Sequence, residues 1–366
     1  MGTIKQNRAN NIVTGGKIDA TDGLNNNVPA TNIANASLTN VTAYPPSAGA
    51  GVSQLASDPP SPTEGQVWYN TTTNTLKQYV QGAGAWATGG SLNTGRRDLG
   101  GAGTQTSGLA FGGVTAASPV YGGSETESYN GSAWTEVNDL NTARRSLEGA
   151  GADNTSAIAF GGNTAPGQVA ITESWSGTSW TEVNDLNTVR QDFAGSGTQT
   201  SALATGGNAP RIALNESWNG TSWTEVGDLN TARNNLAGAG LDNTSALVFG
   251  GSVPPIVGNT ESWNGTSWTE VNDLNTPRDI LAGTGIQTSA LAFGGENAGF
   301  KGETEEWNGV SWTEVADLNL ARYELARAGN TTAALAIGGD GSPPVTTLAD
   351  TEEWTKGLSV QTITAS

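Results

Sequence analysis

The phrase "ESWNGTSWTEVNDLNT" (Glu261–Thr276) recurs almost unchanged from Glu173 and Glu216, and in altered form from Glu127 and Glu305. Its second tryptophan stands at Trp134, Trp180, Trp223, Trp268 and Trp312; "GAWATGGSLNTGR" adds Trp86, and the intervals are 43 to 48 residues. A repeat of this length is one supersecondary unit that buries its apolar face only against neighbouring copies. The unit after Trp223 reads "NNLAGAG", "TSALVFGG", "NTESWNG" and "TSWTEVNDL", with Gly, Asn and Thr between the segments. No segment is long enough for a core helix, so each unit is expected to form four short strands.

Asn-Gly predicts a two-residue type I′ hairpin between the third and fourth strands. On that reading Trp263 pairs with Thr266, and Trp268 is a diagonal neighbour of Trp263. Eleven of the twelve tryptophans fall in these two registers, at a spacing of five from 129/134 to 307/312, with Tyr129 replacing Trp once. Repetition in every copy points to packing between units. A sugar-stacking platform would not need every copy.

The first strand of each unit is built of small residues ("LGGAG", "LEGAG", "FAGSG", "LAGAG", "LAGTG", "LARAG"), and the last two carry Trp. A gradient from small to large suits sheets crowded at an axis and spread at a rim. An Arg precedes the first strand (Arg96, Arg144, Arg190, Arg233, Arg278, Arg322), and Gly-Gly closes the second, as at Gly250-Gly251. An aromatic fills the third strand at Tyr129, Trp175, Trp218, Trp263, Trp307 and Trp354. Residues 84 to 366 thereby resemble the kelch repeat, which implies an all-β, six-bladed kelch-type β-propeller and no particular function. Six Glu (Glu127, Glu173, Glu216, Glu261, Glu305, Glu352) recur with the six Arg, so one ion pair per unit is expected, with Arg as a bidentate donor.

There are six Gly-Gly strands but only five "SWTEV"-type strands after them. The Trp86 strand is expected to complete the last blade, leaving "SVQTIT" near the C-terminus surplus, on the rim or competing for that place. A seven-bladed ring that uses "QVWYNTTTNTLKQYV" (66–80) is the alternative.

Residues 1–60 are Asn, Thr, Ala, Gly and Ser with isolated aliphatics, and cannot bury a core of their own. They are expected to be an extended, low-complexity N-terminal anchor, followed by a β-hairpin adaptor at 61–83. "NNIVTGGKIDATDG", "VPATNIANASLTNVTAYP" and "GQVWYNTTTNTLKQY" ahead of near-identical units resemble the tail-fibre and virion appendage proteins of bacteriophages, marine ones particularly. The resemblance implies a virion location, attachment to other virion structural proteins through the N-terminal segment, and an outward-facing distal domain. That domain would adhere to a host-surface receptor or glycan. A homo-oligomer, a trimer, is the expected assembly. A cellular surface adhesin or lectin is the alternative.

Composition narrows the chemistry. The chain has no His and no Cys, which rules out Ser–His–Asp and Cys–His catalysis and the His/Cys-dependent copper-radical oxidase site carried by some kelch propellers. A glycan-cleaving enzyme needs only two carboxylates, but most acids here repeat in fixed registers, as structural groups do. Neither an enzyme nor a cofactor is expected. Asp and Asn of the "NDLNT" turns are ordinary turn formers, and no metal site is expected there. A net charge of −18 disfavours nucleic acid and anionic membranes. No apolar run suggests membrane insertion, and "MGTIKQNRANNIV" suggests no signal-peptide route.

Scaffold positions repeat, so variable positions carry information about binding. The two residues after each repeated Arg differ, as do the connections from the second to the third strand; both sets belong to one end of the sheets. The binding candidates are Arg97, Asp98, Asp192, Tyr323 and Glu324 from the first set, and Arg211, Phe300 and Lys301 from the second.

Overall fold

A computed structural model describes residues 52–116, 122–165, 167–208, 211–341 and 347–363. Among them every regular element is a β-strand. The chain divides into two compact units, one of residues up to Ala83 with those from Lys356 on, the other Gly84–Thr355. The expected segment 1–60 lies outside the described residues up to residue 51.

In the smaller unit the hairpin strands Val67–Asn70 and Thr75–Gln81 pair antiparallel. Ser53–Leu55 joins Val67–Asn70 in parallel, so the sheet begins before residue 61. Leu358–Thr362 pairs with Thr75–Gln81, which places the C-terminal strand here and ends the larger unit at Thr355 rather than 366. Trp68 is fully buried, and its indole N–H donates to Asp58 Oδ1 at 3.1 Å. The Lys77 ammonium, 2.8 Å from Asp58 Oδ2, holds that carboxyl below its usual range.

The larger unit holds six four-stranded antiparallel sheets, an arrangement consistent with a β-propeller. They are numbered 1 to 6 here in the order of their first strands. Sheet 4 runs Ala237–Asp242, Ser245–Phe249, Thr260–Trp263 and Trp268–Val271. The innermost strands of the others are Gly100–Thr104, Glu148–Asp153, Ala194–Thr198, Ala282–Ile286 and Ala326–Gly329. Each innermost strand lies beside that of the next sheet, and that of sheet 6 lies beside that of sheet 1. Sheet 6 takes its fourth strand, Ala85–Thr88, from the other end of the unit, with Trp86 opposite Trp354.

The core lies between sheets. Each apolar cluster joins two neighbours: Leu247 and Phe249 of sheet 4 pack with Trp307 and Trp312 of sheet 5. No sheet could bury these groups alone, which is why the sequence repeats them. Gly-Gly ends the second strand because both residues take positive φ (67° and 104° at Gly250 and Gly251). A Cβ on Gly251 would stand 2.8 Å from the Asn234 carbonyl oxygen.

The hairpin expectation needs correction. Trp263 pairs directly with Trp268, with ring centroids 5.2 Å apart, and the link is Asn264–Ser267. Gly265 alone takes positive φ there (89°). Asn264 serves through its side chain, whose Oδ1 accepts the N–H groups of Thr266 and Ser267 at 3.0 and 2.9 Å.

The six Arg–Glu pairs form, one per sheet, with N–O distances of 2.6 to 3.2 Å and the Arg side chains fully buried. They are not bidentate forks. Arg233 gives one N–H to Glu261 Oε1 at 2.9 Å and another to the Gly250 carbonyl at 2.9 Å. The second oxygen of Glu261 accepts the backbone and side-chain N–H groups of Asn230, which belongs to the preceding connection. The repeated Asp is also engaged: Asp139, Asp185, Asp273 and Asp317 accept the N–H of Thr126, Thr172, Thr260 and Thr304.

Candidate functional site

The residues that vary between copies gather at one end of the larger unit. The residue after each repeated Arg bridges the residue after Gly-Gly in its own repeat: Arg97 with Val114, Arg145 with Asn163, Gln191 with Asn208, Asn234 with Ser252, Asp279 with Glu296 and Tyr323 with Asp340. Side chains from both variable connections are therefore held together on short extensions of the sheets.

The next residue turns the chain inward. Asp98, Ser146, Asp192, Asn235, Ile280 and Glu324 all adopt positive φ, between 50° and 58°. None is glycine, and each pays a steric cost of about 1–3 kcal/mol in that region. A belt of backbone hydrogen bonds between sheets holds them there. Asp98 N donates to Glu324 O (2.9 Å), Ser146 N to Asp98 O (2.8 Å), Asn235 N to Asp192 O (2.7 Å), Ile280 N to Asn235 O (2.9 Å) and Glu324 N to Ile280 O (3.3 Å). Sequence reasoning missed this belt because glycine, the usual marker of that conformation, is absent from all six positions.

Five of the eight candidates meet where sheets 5, 6 and 1 adjoin. Arg97 Nη1 lies 2.7 Å from Glu324 Oε2 and 3.4 Å from Asp340 Oδ2. Phe300 stacks on Tyr323, with centroids 5.1 Å apart and planes at 16°. Burial first, and then the Asp98 charge, push the Glu324 carboxyl up to about 7 despite Arg97. Burial, with Asp192 adding to it, also raises Asp98, and Arg145 lies 3.4 Å from that carboxylate. Burial and the surrounding acids push the Tyr323 phenol up to about 12. These groups make a half-buried, mostly acidic surface with one stacked aromatic pair and two guanidinium groups, suited to hydrogen bonding with hydroxyl groups.

The other three candidates stand apart from this cluster. Arg211 donates from Nε to Asn234 Oδ1 at 2.9 Å. Lys301 pairs with Glu303 at 3.4 Å. Asp192 accepts from its neighbour Gln191 at 2.8 Å and reaches the cluster through its charge on Asp98. Asp340 and Arg145 were missed. Both were legible in principle, since Asp340 follows a Gly-Gly and Arg145 follows a repeated Arg, at positions that vary among the copies.

No protein-family model matches the chain, and no curated protein matches it.

Proposed function

We propose that Gly84–Thr355 is a six-bladed propeller of the kelch kind, and that the protein is a non-enzymatic virion fibre or appendage protein. Its N-terminal segment attaches to other structural proteins of the particle, and the variable face adheres to a host-surface receptor, a glycan. One observation carries this reading. The chain enters the larger unit at Ala85 and leaves it at Thr355, paired residues at the turn end of sheet 6. The variable connections lie at the opposite end of the sheets. A domain tethered at its monotonous end presents its variable end outward.

Three further points support it. Six sheets with a fourth strand shared between the ends of the unit fit six blades. The repeated carboxylates are engaged by Arg, Asn and backbone N–H groups, as expected of a scaffold rather than a catalytic pair. The cluster around Arg97, Tyr323 and Glu324 places hydrogen-bonding groups beside an aromatic face, a combination suited to sugar recognition.

The test is attachment of the labelled, full-length protein to host cells. Tyr323→Ala combined with Asp98→Ala should abolish attachment while moving the melting temperature little, because neither side chain belongs to the apolar core between the sheets. Undiminished attachment would move the receptor site elsewhere. Antibody raised against the chain should decorate purified particles, and bare particles would refute the virion assignment.

A further inference from the structure

Two residues break the pattern of the innermost strands. The second position is Gly101, Gly149, Gly195, Gly238 and Gly283 in sheets 1 to 5, and Arg327 in sheet 6. The first position is Gly or Ala in five sheets and Glu148 in sheet 2. These exceptions, far apart in sequence, meet. Arg327 Nη1 lies 2.8 Å from Glu148 Oε2, with both side chains largely buried (13% and 20% exposed). Arg327 Nη2 donates to the carbonyl of Gly195 in sheet 3. Glu148 also accepts the N–H groups of Gly149 and Gly195.

The setting is the narrow central space between the six innermost strands. It is lined by Gly, Ala, Ser and Thr, and Arg327 is the one charged group among its lining residues. The small residues leave room for one long side chain to cross. Arg327 therefore reaches from sheet 6 to sheets 2 and 3, passing over the seam between sheets 6 and 1. The non-covalent join of the unit's two ends lies inside sheet 6, where Thr351–Thr355 pairs with Ala85–Thr88, the strand from which the chain runs on into sheet 1.

We propose that Arg327 and Glu148 form an axial clasp that closes the central passage and locks the ring shut at its non-covalent join. If the first three strands of sheet 6 swing away from sheet 1, the clasp must break and leave two charges without partners in a confined space, which is costly. The other five sheets need no such group because in each of them a turn of the chain joins the third strand to the fourth.

The clasp is tested in the full-length protein with Arg327→Gly and Glu148→Ala, each the residue common at that position in the other sheets, and with the double variant. Each single variant should lower the unfolding midpoint, and the double variant should recover most of the loss, since an ion pair replaced on both sides leaves no orphaned charge. Formate should raise the midpoint of Glu148→Ala by standing in for the missing carboxylate, and should leave wild type and the double variant unmoved. Losses that add in the double variant would overturn the proposal. The milder Glu148→Gln guards against a single variant that does not fold: amide hydrogen exchange in Ala85–Thr88 should quicken about tenfold or more, with little change in sheet 4. Exchange in Ala85–Thr88 at the wild-type rate would equally overturn it.

Discussion

Sheets 4 and 5 meet through three connections that sheets 3 and 4 lack. At the first seam the Phe249 ring packs against Trp312 at 4.8 Å, the Trp312 indole N–H donates to Thr260 Oγ1 at 3.1 Å, and Asn272 Nδ2 donates to the Val310 carbonyl at 2.9 Å. At the second, Thr205 stands in the phenylalanine position, Asn215 in that of Thr260, and Gly227 in that of Asn272. Thr205 and Asn215 satisfy each other (Oγ1 to Oδ1, 2.8 Å), so the indole N–H of Trp268 is buried without a partner. The backbone register is the same at both. What differs is how many groups cross the seam, so near-identical repeats need not give joints of equal strength.

The largest expected effect tests that contrast directly. Trp312→Ala should cost about 4–5 kcal/mol and Trp268→Ala nearer 3, within the range for large buried aromatics. Equal losses in denaturant unfolding would mean that the seams do not differ in strength. Next comes Phe249→Thr, which gives the strong seam the weak seam's residue. It should cost about 3 kcal/mol through the lost ring, and a loss under about 1 kcal/mol would show the ring to be dispensable.

The seam between sheets 6 and 1 sharpens the comparison, because charge crosses it and no phenylalanine ring does. Ile337 takes the phenylalanine position and Gly90 the Asn position, while Arg97 bridges to Glu324 and Asp340. Burial and Asp98 raise Glu324 from an ordinary 4.5 to about 7. A raised carboxyl binds its proton more tightly when folded, so stability should fall as pH rises from about 4.5 to 7. Thermal melts across that window should show less of this fall in Glu324→Gln, and identical slopes would remove Glu324 from the account. The smallest effect is a gain: Asn215→Thr should restore an acceptor for Trp268 and add about 1 kcal/mol, measurable as a higher denaturant midpoint.

Much of the scaffold was legible because repetition is a physical constraint written many times over. Four strands per unit, the Trp86 strand in sheet 6 and one Arg–Glu pair per sheet all followed from period and register. The Asn-Gly turn misled because the dipeptide most often makes a two-residue hairpin, whereas here the asparagine caps a longer link. The C-terminal strand was illegible for another reason: "SVQTIT" carries no register tying it to a partner, so only spatial proximity assigns it to Thr75–Gln81. At the candidate site the variable positions were found by their variation, but Asp340 and Arg145 were not singled out as partners among them.

The sequence by itself determined the unit, its strands, the inward gradient of side-chain size and the positions free to vary. These depend on local pattern, and six copies average out local ambiguity. The tertiary structure alone decided three things: the positive-φ belt, the weak seam between sheets 3 and 4, and the meeting of Arg327 with Glu148. Each depends on groups brought together from different repeats, and in the linear sequence such an exception is one changed letter whose partner is set only when the sheets come together.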